Sequence, residues 1–400
     1  MLKERGEPLS TNSLIVNTDN ISKYFGKILA LNELNLHVPK GTGALMRNKI
    51  AVIILLTILC SFIVSIPLID VVEAEAEPRT IVVPDDYQTI SWAIDNASDG
   101  DTIHVMGGTY HENVRINKSI SLVGENVDTT IIDGNPSTGY RVPITINCNN
   151  VSVSGFKLLY GYAGIQMFSA NNCSISGNRI ASAQHGINMA DSSYCTITEN
   201  YFDQIDGSAA IQLSVSTNNL VTGNYVESCT GGIKSWQNSS SNTLSGNTIF
   251  NCDDYAIMFD YSDNNIVTGN EVSYSKYGTS IYVANNNTIT NNNYINNTVQ
   301  FSANESYALT LGIEPSVNTI NENYWSDYNG TDTNDDGIGD TPYIIDENNQ
   351  DNNPLMAPLE VKAIPEFPPW TILPLLLVAT LAATLYAKKL TKNRTLQHSY

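Results

Sequence analysis

Seven positions constrain this chain more than any others: Phe156, Asn178, Asn200, Asn224, Asn247, Asn270 and Asn292, separated by 22, 22, 24, 23, 23 and 22 residues. Three places upstream of them stand Val153, Ile175, Ile197, Val221, Leu244, Val267 and Ile289. Two places downstream stand Leu158, Ile180, Phe202, Val226, Ile249, Val272 and Tyr294. A further apolar pair follows in most units, as in GIQM, GINM, AIQL, AIMF and SIYV. Each unit therefore reads as short alternating strands joined by polar turns, and no unit can bury an apolar face alone. Stacking the units in register buries one continuous core, which predicts an all-β parallel β-helix with one unit per coil. At about 4.8 Å between strands, ten coils make a rod on the order of 50 Å long. A β-propeller is the alternative, but its blade needs four strands and nearly twice this period.

Stacking also gives the polar columns a meaning. Five places before the anchors lie Cys173, Cys195, Asn219, Asn242, Asn265 and Asn287. The four asparagines form a structural ladder in which like amides hydrogen-bond from coil to coil. Cys173 stacks on Cys195 and Cys229 on Cys252, as disulfides or as buried thiols, because side chains in register run parallel and fit a bridge poorly. Cys148 is off register.

Two apolar runs flank the repeats. The first, Ile50 to Ile69, follows Met46, Arg47 and Lys49 and precedes Ala74 and Ala76, the layout of a secretory signal peptide; an uncleaved signal anchor is the other reading. The second, Trp370 to Ala387, is followed by Lys388, Lys389, Lys392 and Arg394, which marks a transmembrane helix with a cytoplasmic tail. The expected organisation is 46–76 signal segment, 77–323 β-helix, 324–356 closing segment, 357–369 Pro-rich stalk, 370–387 membrane helix and 388–400 tail. The body is thus expected outside the cell, anchored at its surface. From Glu77 to Pro369 it holds 33 Asp plus Glu against 9 Lys plus Arg, so nucleic acid is excluded as a partner and cations or neutral glycans are favoured. At least nine N-x-S/T sequons in this body agree with export.

Residues 14–42, LIVNTDNISKYFGKILALNELNLHVPKGT, resemble the first two strands of an ABC-transporter ATPase. No G-x-x-x-x-G-K-[ST] loop follows, so residues 1–45 are read as a remnant without phosphate-binding capacity, or as a cytoplasmic extension. Residues 81–134 are similar to the opening coils and capping helix of secreted β-helix proteins of the pectate-lyase-like superfamily. The N-x-[ILV]-x-G-N units and the closing NENYWSDYNGTDTNDDGIGDTPYIIDENNQDNNPLM resemble the NosD-type family, named for periplasmic copper binding, and IPEFPPWTILPLLL resembles the carboxy-terminal anchor of archaeal surface proteins. The resemblance implies a right-handed coil, copper as cargo and an ABC-type exporter as partner. The residues give copper little: Met167 and Met189 fall on inward positions, and His104, His111 and His185 have no second histidine at chelating spacing.

Three function classes follow. The first is a non-catalytic metal-handling protein. The second is a polysaccharide-binding or structural surface module. Its candidate site is an outward column of Gln166, Asn188, Gln212, Lys234, Met258 and Tyr282, with Phe168, Trp236 and Asp260 two residues further on; an ordinary solvated sheet face is the competing reading. The third is a polysaccharide lyase, hydrolase or epimerase, for which Asp253 and Asp254 with Lys234 are the best pair. The polygalacturonase set of N-T-D, D-D and G-H-G is missing, so no catalytic residue is assigned and a non-enzyme is favoured. Finally, Asp332, Asn334, Asp336 and Asp340 place oxygens at positions one, three, five and nine around Gly337 at six. With the Ile338 carbonyl and Asp346, they form an expected calcium set, alongside a plain polar turn that caps the rod.

Overall fold

The computed structural model describes residues 14–25, 28–39, 77–134, 141–303, 310 and 312–360. The expected signal segment, membrane helix and tail lie outside these residues; among the described residues no helix is long and apolar enough to cross a membrane. The chain divides into two compact units, Met1–Glu75 and Ala76–Tyr400. In the first, Leu14–Phe25 pairs antiparallel with Ile28–Pro39.

The second unit is a right-handed parallel β-helix built from three sheets. The first sheet, of 13 strands, begins at Thr80–Val83 and ends with Gln350–Asp351 and Tyr343–Ile344; the second has 10 strands, from Gly108–Tyr110 to Tyr324–Trp325; the third has 9, from Val114–Ile116 to Val299–Ala303. The closing segment thus contributes strands to the stack and does not merely follow it. Strand pairing between coils is in register: Val153 faces Ile175, then Ile197, Val221, Leu244, Val267 and Ile289. All fourteen apolar positions that flank the anchors are 0 % exposed.

Polar ladders run beside this core and have a direction. In the anchor column the backbone N–H and Nδ2 of each asparagine donate to Oδ1 of the next coil's asparagine, from Asn178 to Asn200, Asn224, Asn247, Asn270, Asn292 and Asn323. The second column runs the same way through Asn219, Asn242, Asn265, Asn287 and Asn318. Cys195 N–H donates to Asn219 Oδ1 and so joins that column. Cys148, Cys173, Cys195, Cys229 and Cys252 are free thiols.

Both ends of the core are closed. At the start, helix Ile90–Asn96 buries Ile90, Ala93 and Ile94; Thr89 Oγ1 caps it, and the Glu112 carboxylate accepts from Ile90 N and Ser91 N. Lys118 Nζ donates to the carbonyls of Ile94, Asp95 and Ala97 at the helix C-terminus, where cations are favoured. At the far end Tyr294, Trp325 and Tyr343 stack ring on ring, with centroids 4.6 and 4.5 Å apart.

Candidate functional site

Side chains that point away from the core of the third sheet form the candidate site. Where the chain bends into this sheet, a small residue lies against the interior. A Cβ on Gly164 would meet Ile180 Cγ2 at 2.4 Å, on Gly186 Phe202 Cδ1 at 2.5 Å and on Gly232 Ile249 Cγ2 at 2.9 Å. The bend leaves three outward columns. The first holds His185, Tyr255 and Tyr277. The second, between inward residues such as Ile165 and Met167, runs Gln166, Asn188, Gln212, Lys234, Met258, Ser280. The third runs Phe168, Ala190, Ser214, Trp236, Asp260, Tyr282.

Two features differ from the sequence expectation. Tyr282 belongs to the third column and not to the second, because Ile281 pairs with Phe259 and Thr279 with Ile257. Thr279 is an inward residue whose hydroxyl hydrogen-bonds the buried Tyr294 hydroxyl at 2.8 Å, so an apolar pattern places this strand's phase two residues late. The amides, moreover, are not an open ladder. Gln166, Asn188 and Gln212 are 2, 8 and 7 % exposed. Asn188 Nδ2 donates to Gln166 Oε1 at 3.1 Å, Gln212 Nε2 to Asn188 Oδ1 at 3.3 Å and Ser208 Oγ to Gln212 Oε1 at 3.2 Å, so they largely satisfy one another.

The accessible part of the face begins where the amides stop. Lys234 is half-buried, with Nζ 5.1 Å from the Trp236 ring centroid. Burial lowers the Lys234 pKa, against the opposing pull of Asp260 and Asp254. Burial raises that of Asp260, against Lys234. Asp254 also pairs with Lys276 at 3.6 Å. Phe168, at the other end of the third column, is exposed.

Sequence reasoning missed Tyr255 and weighed His185 only as a copper ligand. His185 is buried against the Tyr162 ring, centroids 4.9 Å apart, and its Nδ1 has no hydrogen-bond partner. Burial first, then the charge of Lys234, holds its pKa below the ordinary histidine value. Tyr255 leans over Gly231 and donates to the Ser208 carbonyl at 3.0 Å; burial pushes its pKa up to about 12. The available signal was the column itself, which reads Ala163, His185 and, further on, Tyr255 and Tyr277 once the strands are aligned.

The Asp/Gly-rich loop uses its carboxylates on itself. Asp332 accepts from Asp336 N and Gly337 N, Asp336 from Ile338 N and Asn334 Nδ2, and Asp340 from Thr333 N. Asp346 is taken up elsewhere: it accepts from Asn348 N, Asn349 N and Asn349 Nδ2. Among the described residues no three His, Cys, Asp or Glu side chains gather as a metal-binding group.

Residues 163–312 match the family described as right handed beta helix region. No curated protein matches the chain. Among solved structures, a surface adhesin of Streptococcus pneumoniae, PfbA, shares 16 % identity over 60 % of this chain and 76 % of its own, with a TM-score of 0.50. An alginate lyase from Paenibacillus sp. is 14 % identical over 61 and 95 %, TM-score 0.43. The mannuronan C-5 epimerase AlgE4 A-module of Azotobacter vinelandii is 12 % identical over 59 and 82 %, TM-score 0.47. At such identities the likeness is one of fold.

Proposed function

We propose that the β-helix is a non-catalytic surface module that binds a polysaccharide laid along the third sheet, held outside the cell by the apolar segment at 370–387. The observation that carries this is the third outward column. Trp236 and Tyr282 lie two coils apart, about 10 Å at the usual strand spacing, with Asp260 between them. Two rings at that separation can each take the face of a sugar in an extended chain, while Asp260 and Lys234 address the hydroxyls between them. The acidic body favours a neutral polymer over a polyanion. The test is binding of the intact chain to a panel of polysaccharides. Trp236→Ala is expected to weaken the bound polymer by at least about tenfold, or 1.4 kcal/mol. Equal binding by the variant, or none by the wild type, would sink this reading.

A second reading rests on His185. Its imidazole is held neutral on the same face as Lys234 and Tyr255; Nδ1 is sealed from solvent, so acid–base work on a bound sugar would fall to Nε2. Turnover of the bound polymer that disappears in His185→Gln, with binding retained, would mark it as an enzyme.

Copper handling and an ABC-type exporter as partner follow from the NosD-type resemblance alone. Six of the soft donors do not fit an exchangeable copper site: Met167 and Met189 are packed in the core, and Cys173, Cys195, Cys229 and Cys252 are buried between coils. Copper and calcium measured together on the purified chain test both metal expectations.

A further inference from the structure

Within the β-helix unit, eight described asparagines begin an N-x-S/T sequon: Asn96, Asn117, Asn150, Asn172, Asn238, Asn286, Asn296 and Asn329. All eight are exposed. Among the described residues fifteen asparagines are buried, and none of the fifteen begins a sequon. The coil alternation does this sorting. Two places after a ladder asparagine comes an inward residue, Ile180 after Asn178 or Val221 after Asn219, so a hydroxyl there would fall inside the core. The turn that leads from the third sheet to the first has the opposite phase. In it Asn150, Asn172 and Asn286 adopt left-handed φ of 58, 56 and 58°, and the residues two places on, Ser152, Ser174 and Thr288, are outward strand positions. Asn238, with φ 63°, lies in the same turn of its coil, two residues after Trp236 and three before Ser241, the position that corresponds to Asn150.

The side-chain amides separate these sites further. Asn96 Nδ2 donates to the Trp92 carbonyl and Asn296 Nδ2 to the Tyr274 hydroxyl. Among the described residues, the amides of Asn117 and Asn329 make no such bond, but of the eight only Asn150, Asn172, Asn238 and Asn286 combine left-handed φ with an amide that makes none, and all four lie in the turns at one corner of the coils.

We propose that this corner carries N-linked glycans at Asn150, Asn172, Asn238 and Asn286. The donor is a lipid-linked oligosaccharide. Nδ2 forms the bond to the sugar C1, the C1–O bond to the lipid phosphate breaks, the phosphate leaves with the electron pair, and the Nδ2 proton passes to a basic group of the transferase. The attached sugars would line the edge of the third sheet without occupying the Trp236 column, so this inference is independent of what that column binds.

Peptide mapping by mass spectrometry of the full chain, purified from the cells that make it, tests the proposal. Peptides that contain the four asparagines are expected to carry saccharide mass. Recovery of all four only in the unmodified form overturns the proposal, whether or not the chain is found outside the cell. Ser152→Ala, Ser174→Ala, Ser240→Ala and Thr288→Ala remove the acceptor hydroxyls while leaving each asparagine in its turn. Each should delete the added mass at its own site and at no other. Ser240→Ala also removes the acceptor of the Asp263 N–H, so a lower melting temperature is expected of that variant. Mass that persists at the mutated site counts against the proposal.

Discussion

A buried histidine ring whose Nδ1 has no hydrogen-bond partner is favoured as the neutral imidazole, because charging it would place an unpaired cation beside Lys234. Its folded pKa lies below the unfolded value of about 6.5, so between those two values the unfolded chain binds the extra proton. Stability from this group is therefore complete above about pH 6.5 and is lost as pH falls toward the folded value. Melting temperature measured from pH 8 to 5 should decline in the lower half of that range, and His185→Gln should flatten the decline. An identical slope in the variant would refute the assignment. Ser235 presents a related conflict inside the core. It pairs with Leu213 and Phe259 in an inward column that also holds Met167 and Met189, and its Oγ is buried without a partner. Ser235→Ala removes an unsatisfied hydroxyl and is expected to stabilise by roughly 1 kcal/mol, read as a rise in denaturant midpoint. A lower midpoint would mean that the hydroxyl has a partner after all.

The direction of the asparagine ladders explains what stands at their ends. Every rung donates toward the next coil and accepts from the previous one, so the last rung needs acceptors only. Asp351 fills that place in the anchor column: it accepts from Glu322 N, Asn323 N, Asn323 Nδ2 and Trp325 Nε1, and is 0 % exposed. The second column continues from Asn318 N–H to Asn349 Oδ1, and Asp346 ends it in the same way by accepting from Asn349 Nδ2. A carboxylate there is not interchangeable with an amide, which would turn an N–H toward donors. Asp351→Ala leaves several buried donors unpaired and should cost about 3 kcal/mol or more, with Asp351→Asn in between; equal denaturation midpoints for all three proteins would refute this account. The repeat and its core positions were legible because a strand's two-residue period writes the core directly into the sequence. Asp346 was harder to place, because Asp and Gly in an oxygen-rich spacing suit a cation and a ladder terminus alike. Tyr282 was misplaced for a simpler reason: Thr279, an inward residue, is polar. His185 and Tyr255 carry only a weak signal, since their column starts at Ala163 and repeats a side chain only at Tyr255 and Tyr277.

Across the whole rod, each coil touches only its two neighbours, so stability is close to a sum of coil and interface terms. That makes one intervention diagnostic. Leu220 pairs with Thr243, Tyr225 with Thr248 and Ile233 with Ile257. Removing Leu220–Asn242 therefore excises one coil and joins Asn219 to Thr243, with the register of all three sheets retained. Asn219 then meets Asn265, the rung that Asn242 met before, and the anchor ladder closes from Asn200 to Asn247. The shortened chain should fold with unchanged β-sheet circular dichroism and a modestly lower melting temperature. It also lacks Lys234 and Trp236, so it should lose polysaccharide binding while keeping its fold. Ending the deletion at Gln237 instead, in the middle of a turn, preserves the flanking strands but brings in five residues, Asn238–Asn242, that the turn after Asn219 must absorb, more than the one- or two-residue variation between natural coils. That variant should melt well below the in-register deletion or aggregate through unpaired strand edges. If the two deletions behave alike, in-register stacking is not what holds the rod together.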